Sequence, residues 1–287
     1  MAGKNTNQAG DWNGEGGQRW AANQDRLDAM AAVFGQAAIE AVAPAAGERI
    51  LDVGCGAGAS SLALATRVGA SGEVLGVDIS APLIGRARAY APQEAPVLFQ
   101  VADASSAELP EGAFDILFSR FGVMFFEDPT SAFAHMRRAI RPGGRVAFVC
   151  WRGAGENEWM RLPMGAIKGI VPLPAPTDPE APGPFSFGDR GRVLRILTAA
   201  GFADIAIAPF DASIPFGEGA TRDAAIDDAV KMALEVGPPS RALADQPSDI
   251  RARASAALRA AYSGRPGERS VMMDGAVWIV TARNPES

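Results

Sequence analysis

The sequence predicts an α/β fold built on a parallel sheet with helices on both faces. Three observations carry this. Between residues 45 and 151, short apolar runs alternate with stretches of helical character. Most of those runs lack polar alternation, as strands buried on both faces do. The first of them runs straight into glycines and then a helix, in Ile50-Leu51-Asp52-Val53-Gly54-Cys55-Gly56-Ala57-Gly58.

The elements are taken in chain order. Residues 1–17 are polar and Gly-rich and predict a mobile arm. From Gln18 to Ala43 one helix is expected, because Trp20, Leu27, Met30, Phe34, Ala38 and Val42 recur at helical spacing. Pro44 and Gly47 end it. Strands are predicted at Arg49–Val53, Glu73–Val77, Val97–Val101 and Phe114–Ser119. Helices are expected from about Ser60, after Ser80 and near Pro129–Arg141. Pro142-Gly143-Gly144 punctuates the chain before a fifth strand, Arg145–Trp151. Residues 152–187 hold seven prolines and predict a long irregular excursion. A helix is expected at about Asp189–Ala200, closed by Gly201, and a strand at Asp204–Pro209. Residues 219–262 read as helical, with breaks at Pro238, Pro239 and Pro247. Val271–Ala282 is the last strand. Two strands flanking a helical insertion predict an antiparallel edge. The chain divides into 1–44 (arm and cap helix), 45–151 (core), 152–187 (Pro-rich insertion) and 188–287 (remaining core with an insertion at about 219–262).

Composition bounds the function. The 287 residues are 48% hydrophobic and 21% charged, a globular balance. No apolar run approaches the roughly 18–20 residues that span a bilayer. The N-terminal stretch lacks a hydrophobic signal region, so a cytoplasmic protein is expected. Lys and Arg number 27 against 33 Asp and Glu, a net charge of −6, which argues against a nucleic-acid partner. One histidine, His135, leaves little for a nucleophile–histidine relay. Two cysteines, Cys55 and Cys150, make neither a disulfide framework nor a zinc site, and no metal is expected.

The glycine loop is the strongest local signal. Glycines allow a tight turn and close approach of backbone to a ligand. The helix that follows offers free N–H groups to an anionic part of that ligand. Gly54, Gly56 and Ala59 also fit the dinucleotide pattern G-x-G-x-x-G/A, so neighbouring residues must decide. Asp52 stands two residues before Gly54, Asp78 ends the second strand, and Asp103 follows the third. These acids lie 26 and 25 residues apart, about one βα unit each. Right-handed crossovers bring their strands side by side, and the strands' carboxyl ends then share one crevice. Asp78 suits two ribose hydroxyls, Asp103 an exocyclic amine, Ile79 an adenine face, and Asp52 a cation such as an ammonium group. Together they describe adenosine joined to an amino acid.

These segments resemble the class I S-adenosylmethionine-dependent methyltransferases. The matching residues are Leu51–Gly58, Gly76-Val77-Asp78-Ile79-Ser80, Ala102-Asp103-Ala104, Phe114–Ser119 and Ile140–Gly144. The small-molecule branch that includes the ubiquinone/menaquinone biosynthesis methyltransferases is the most similar. The resemblance implies a Rossmann-like seven-stranded sheet of order 3-2-1-4-5-7-6, with strand 7 antiparallel and helical lid insertions. It implies S-adenosylmethionine as cofactor. Gly54, Gly56 and Gly58 would approach the methionine moiety, with Asp52 beside it. Asp78 would hold the ribose, and Asp103 and the Ala104 N–H the adenine. Ser119 and Arg120 would lie near the sulfonium, and Trp20 would help cover the cofactor. In that sheet one strand separates Cys55 from Cys150, about 9–10 Å, so free thiols are expected.

The acceptor is expected to be a small, hydrophobic molecule held between the strand ends and lids formed by the N-terminal helix, 152–187 and 219–240. Met124, Phe125, Phe126, Trp159 and Phe185 are candidates to line its pocket. Glu158 and Arg120 are candidates for acceptor contact, and no catalytic base is assigned. An Asn/Asp-Pro-Pro-Tyr motif is absent after the fourth strand, where Ser119-Arg120-Phe121-Gly122 stands. His135, Asp115 and the Asp223, Asp227 and Asp228 group read as structural or solvated. Three rivals stand beside the methyl-transfer reading. They are a non-catalytic S-adenosylmethionine-binding protein, a relative transferring another group from the same cofactor, and an NAD-dependent oxidoreductase.

Overall fold

The computed structural model describes residues 6–172 and 178–286. Parts of the expected arm (1–5) and of the Pro-rich excursion (173–177) lie outside the described residues. The seven strands are β1 (Arg49–Val53), β2 (Glu73–Asp78), β3 (Val97–Val101), β4 (Phe114–Arg120), β5 (Ile140–Trp151), β6 (Ala203–Glu218) and β7 (Ser270–Arg283). They form one sheet of order β3-β2-β1-β4-β5-β7-β6. All neighbours among β1–β5 pair in parallel, and β7 runs antiparallel to both β5 and β6. The expected order and antiparallel strand are both present.

Alternation along the strands divides the core. Ile50, Val74, Ile116, Phe118, Val149 and Val277 face one side. Against them pack α3 (Gln24–Val42), α4 (Ala59–Val68), α7 (Glu158–Ile167), α9 (Arg222–Glu235), α10 (Pro238–Leu243) and α11 (Ser248–Ser263). Leu51, Val53, Leu117, Phe148 and Val280 face the other side, against α6 (Pro129–Arg137) and α8 (Arg190–Ala199). α5 (Ala81–Tyr90) closes a smaller cluster of Ile84, Ala87, Phe99 and Cys55. Central strands are therefore apolar on both faces, which is why they read as continuous runs.

Several expectations are corrected. The described part of the arm is helical, with α1 (Thr6–Asn13) and α2 (Glu15–Ala22). The single helix from Gln18 is two helices meeting at Asn23. That residue's N–H donates to the Arg19 and Trp20 carbonyls, and its side chain to Arg19 again. Trp20 sits on α2 at 36% exposure and so leaves the apolar face, while Met30, Phe34, Ala38 and Val42 keep it. The excursion after Trp151 opens with a 3-10 turn (Ala154–Glu156) and then α7, which contains Pro163. β5 begins at Ile140, with Arg141–Gly144 bulged out between the pairs Phe114–Ile140 and Ile116–Arg145. Asn284 holds that bulge, donating to the Ile140 carbonyl and accepting from the Gly143 N–H. β6 extends well beyond Pro209, because both of its prolines lie on an edge strand, where a missing N–H costs least.

Candidate active site

The carboxyl ends of β1, β2 and β4 meet at the glycine loop. Gly54 has φ +67°, and its N–H donates to the Val77 carbonyl at 2.8 Å. A Cβ there would come within 2.7 Å of the Gly122 Cα. The loop thus touches the exit of β4 backbone to backbone, and only glycine permits both the turn and the contact. Gly56 has φ +57° and donates to Asp78 Oδ2 at 2.8 Å, while the position its Cβ would take has no atom within 4 Å. Gly58 forms the N-cap of α4.

Asp52 is fully buried. Its Oδ2 accepts from Ser60 Oγ at 2.7 Å and from Ser61 Oγ at 2.6 Å, both in the first turn of α4. Its Oδ1 has no hydrogen-bond partner among the described residues. Burial pushes the carboxyl from 3.8 up to about 6, against the two serines and the Arg120 charge, with Asp78 adding a further push. Asp78 is half-buried; its Oδ2 takes the Gly56 N–H and its Oδ1 the Ser80 N–H at 2.8 Å. Burial raises its pKa too, opposed by the N–H groups of Ser80, Gly56 and Ile79.

Ile79 is half-buried at the start of the connection to α5, and its carbonyl accepts from Asn13 Nδ2 at 3.0 Å. Asp103 follows β3, where its Oδ1 receives the Ser105 N–H and Oγ at 2.9 and 2.7 Å in a local turn. Ala104 beside it is buried. Ser119 donates to the Val53 carbonyl at 2.7 Å and accepts from Gly122 N–H at 3.2 Å, tying β4 to β1. Arg120 pairs with Asp28 of α3. A Cβ on Gly35 would come within 2.9 Å of the Arg120 side chain, so that glycine makes room for it. Trp20 meets Trp12 edge-to-face at 5.2 Å, and Trp12 meets Phe125 likewise at 5.5 Å.

Sequence reasoning missed four groups at this crevice. Ser60 and Ser61 were signalled by two hydroxyls in the first turn after the glycines, but the helical phase that aims them at Asp52 was not. Trp12 and Asn13 lay in the supposed arm. Asn13 also accepts from the Ala81 N–H at 2.9 Å, and the Trp12 carbonyl accepts from Ser80 Oγ at 2.8 Å. Phe121 has φ +65°, and its ring stacks on Trp151 at 4.4 Å and 16°. Trp151 adjoins Trp159 at 5.0 Å, and Trp159 stacks on Phe185 at 5.6 Å. Phe121 directly follows β4 and Trp151 ends β5, so this row of rings begins at the crevice.

Other candidates fall elsewhere. Met124 and Phe126 are buried in the core rather than lining a pocket; Phe125 is half-buried. Glu158 is buried in an ion pair with Arg265 at 2.6 Å and accepts from the Asp274 N–H, so it is tied to β7. His135 lies within 2.8 Å of the Ala107 carbonyl and 2.7 Å of Arg138, away from the crevice. Asp115 accepts from the Arg49 N–H and from Arg141; these outweigh burial and lower its pKa. Asp223 and Asp227 are solvated partners of Arg259, whereas Asp228 binds Arg26 at 2.9 Å and joins α9 to α3. Cys55 and Cys150 are buried and free, and burial pushes both thiols up, away from the reactive thiolate.

The donor set fits an adenosyl amino acid. A buried carboxylate oxygen without a partner calls for a donor or cation. The space beside Gly56 admits a ligand's close approach. Residues 51–148 match the family model described as a methyltransferase domain. Over 177 residues the chain is 31% identical to nocamycin O-methyltransferase of Saccharothrix syringae, covering 58% of this chain and 63% of that protein. Over 118 residues it is 34% identical to aklanonic acid methyltransferase of Streptomyces sp. strain C5, covering 40% and 54%. The aligned stretches thus span 54–63% of those relatives' lengths. The YcgJ protein of Bacillus subtilis shares the fold, with TM-score 0.56 and 17% identity over 89% of this chain and all of that one.

Residues 51–148 carry the likeness to the class I S-adenosylmethionine-dependent methyltransferases. The cofactor of this family is S-adenosylmethionine, so the dinucleotide reading of Gly54, Gly56 and Ala59 is set aside. The relatives' names speak for small-molecule methylation and do not single out the ubiquinone/menaquinone branch. Among the described residues, no helix is long and apolar enough to cross a membrane.

Proposed function

We propose that this protein moves the methyl group of S-adenosylmethionine to a small, hydrophobic acceptor by in-line displacement. One observation carries the cofactor assignment: the unpartnered Oδ1 of buried Asp52, in a crevice whose Gly56 faces open space. When bound, the sulfonium supplies an already activated methyl group, so the protein's task is to position and to exclude water. Asp52 would take the cofactor's ammonium, Asp78 its ribose hydroxyls, and Asp103 with Ala104 its adenine. Gly54, Gly56 and Gly58 would line the methionine moiety, and Ile79 and Trp12, with Trp20 behind it, would shield the adenosine from water. Ser119 would keep the ends of β1 and β4 together, and Arg120 would hold cap helix α3 over the crevice. Residues 45–151 are then the cofactor half, and 152–187 and 219–262 shape the acceptor side.

Phe121, Trp151, Trp159 and Phe185 support an apolar acceptor, because rings at strand ends offer flat, water-excluding surface. Glu158 is removed from the acceptor contacts by its pairing with Arg265. The excess of acidic over basic residues favours a small-molecule acceptor over nucleic acid. Two free, buried cysteines fit a reducing compartment such as the cytoplasm.

Thermal melting with S-adenosylmethionine, S-adenosylhomocysteine, NAD and NADP tests the assignment. A ligand at 100 times its Kd stabilises by about 2.7 kcal/mol. S-adenosylhomocysteine is expected to raise Tm in the wild type and to lose that effect in Asp78→Ala. A rise with NAD or NADP instead would sink the proposal. Formation of S-adenosylhomocysteine during turnover with aromatic and aliphatic acceptors then separates a methyltransferase from a cofactor-binding protein without activity.

A further inference from the structure

Both hydroxyls of the Ser60–Ser61 pair point at one oxygen of Asp52 and leave the other bare. Ser60 Oγ and Ser61 Oγ stand 2.7 and 2.6 Å from Oδ2, and Oδ1 is buried without a partner among the described residues. Two hydroxyls donating to one carboxyl oxygen stabilise the charged form more than the neutral one. The arrangement therefore suits the ionised acid. We propose that Ser60 and Ser61 are positioning residues for the cofactor: they hold Asp52 as a carboxylate with Oδ1 presented to the cofactor's ammonium group. This rests on the cofactor reading above.

The charges around Asp52 are few. Arg120 from β4 favours ionisation, but it is itself paired with Asp28 of α3. Asp78 at the end of β2 opposes ionisation. The Cys55 thiol in the loop is held neutral, its pKa raised by burial first and by Asp52 and Asp78 after that. The serines on α4 are the direct hydrogen-bond donors to Asp52, and burial is the force they counter. Without them the carboxyl would take up a proton near neutral pH and lose its hold on a cation. Each hydrogen bond to a charged group is worth about one pKa unit or somewhat more.

Calorimetric titration across pH 5–8.5 tests this with two ligands. S-adenosylhomocysteine carries the ammonium; 5′-methylthioadenosine has the same adenosine and thioether but no amino-acid group. Both meet Asp78, so the ratio of their affinities isolates the amino-acid end, and its fall with the Asp52 charge reports Asp52. In the wild type the ratio is expected to be level above about pH 7 and to fall up to tenfold per unit below about 6. Ser60→Ala and Ser61→Ala are each expected to move that midpoint up by about one unit, with the wild-type ratio recovered at high pH. Retained 5′-methylthioadenosine affinity certifies that a variant is folded. The wild-type profile is a second, mutation-free test: a ratio flat across the range overturns the proposal, as does an unmoved midpoint in folded variants. Failure of the wild type to bind S-adenosylhomocysteine at every pH would instead overturn the cofactor reading.

Discussion

Asp52 shows at the residue scale how a group proposed to bind a ligand costs stability before that ligand arrives. Its carboxyl stands near 6 in the fold against 3.8 in the open chain. The folded state therefore holds a proton that the unfolded state has released. Ligand-free stability is expected to fall as pH rises between about 4 and 6, by about 3 kcal/mol from this group, since one unit is worth 1.36 kcal/mol. Asp52→Asn should abolish that fall while removing S-adenosylhomocysteine binding. Urea unfolding of both proteins at pH 4 to 8 checks it, and parallel stability curves would contradict it. Tyr262 offers a simpler case, since its hydroxyl is buried without a partner among the described residues. Tyr262→Phe is expected to be neutral or to stabilise by up to about 1 kcal/mol, read from the same unfolding curves. The three acids were legible because residue type and strand spacing suffice to name them. The serines that serve Asp52 were not, because their direction depends on where α4 begins turning.

At the scale of elements, the N-terminal helices are the clearest departure from the sequence reading. α1 and α2 contain several glycines, and short helices are marginal alone. Tertiary contacts decide for them: Asn13 bonds the Ile79 carbonyl and the Ala81 N–H, and Arg86 reaches the Ala21 carbonyl and Asp25. These contacts fasten the segment to the β2–α5 turn that also carries Asp78. Asn13→Ala is expected to change Tm little and to speed S-adenosylhomocysteine release several-fold, measured by stopped-flow displacement. An unchanged release rate would show that the latch does not guard the cofactor. α7 departs in the same way, because Pro163 marks a break by local rules alone. Asn157 compensates by donating to the carbonyls of Arg152, Gly153 and Ala276 and accepting from the Ala276 and Trp159 N–H groups. Asn157→Ala is expected to destabilise the protein by on the order of 3 kcal/mol, since several buried backbone groups lose their partner.

On the scale of the whole molecule, the sheet order brings β1 and β4 together at its middle, with Gly54 against Gly122. The crevice opens where the chain, having built β3-β2-β1 in one direction, returns to build β4 on the other side of β1. Such a reversal leaves strand ends uncovered by their own crossover helices. The same order sets one strand between β1, which leads into Cys55, and β5, which carries Cys150. A thiol reagent is expected to find no reactive cysteine in the native protein and two after unfolding; a single native disulfide would contradict the strand order.

The sequence by itself determined the seven strands in outline, their order and the glycine loop with its acids. Those features follow from local spacing: a period of two or of 3.6, a glycine where φ is positive, an acid one βα unit from the next. Tertiary structure alone decided the helices at Thr6–Ala22 and Glu158–Ile167, the bulge at Arg141–Gly144 and the serine partners of Asp52. It also moved Glu158 from the acceptor side to Arg265, and Met124 and Phe126 into the core. The reason is the same in each case. These are contacts between residues distant in the chain, or aimed by a helix's phase, and their free energy outweighs the local preference of glycine or proline that the sequence displays.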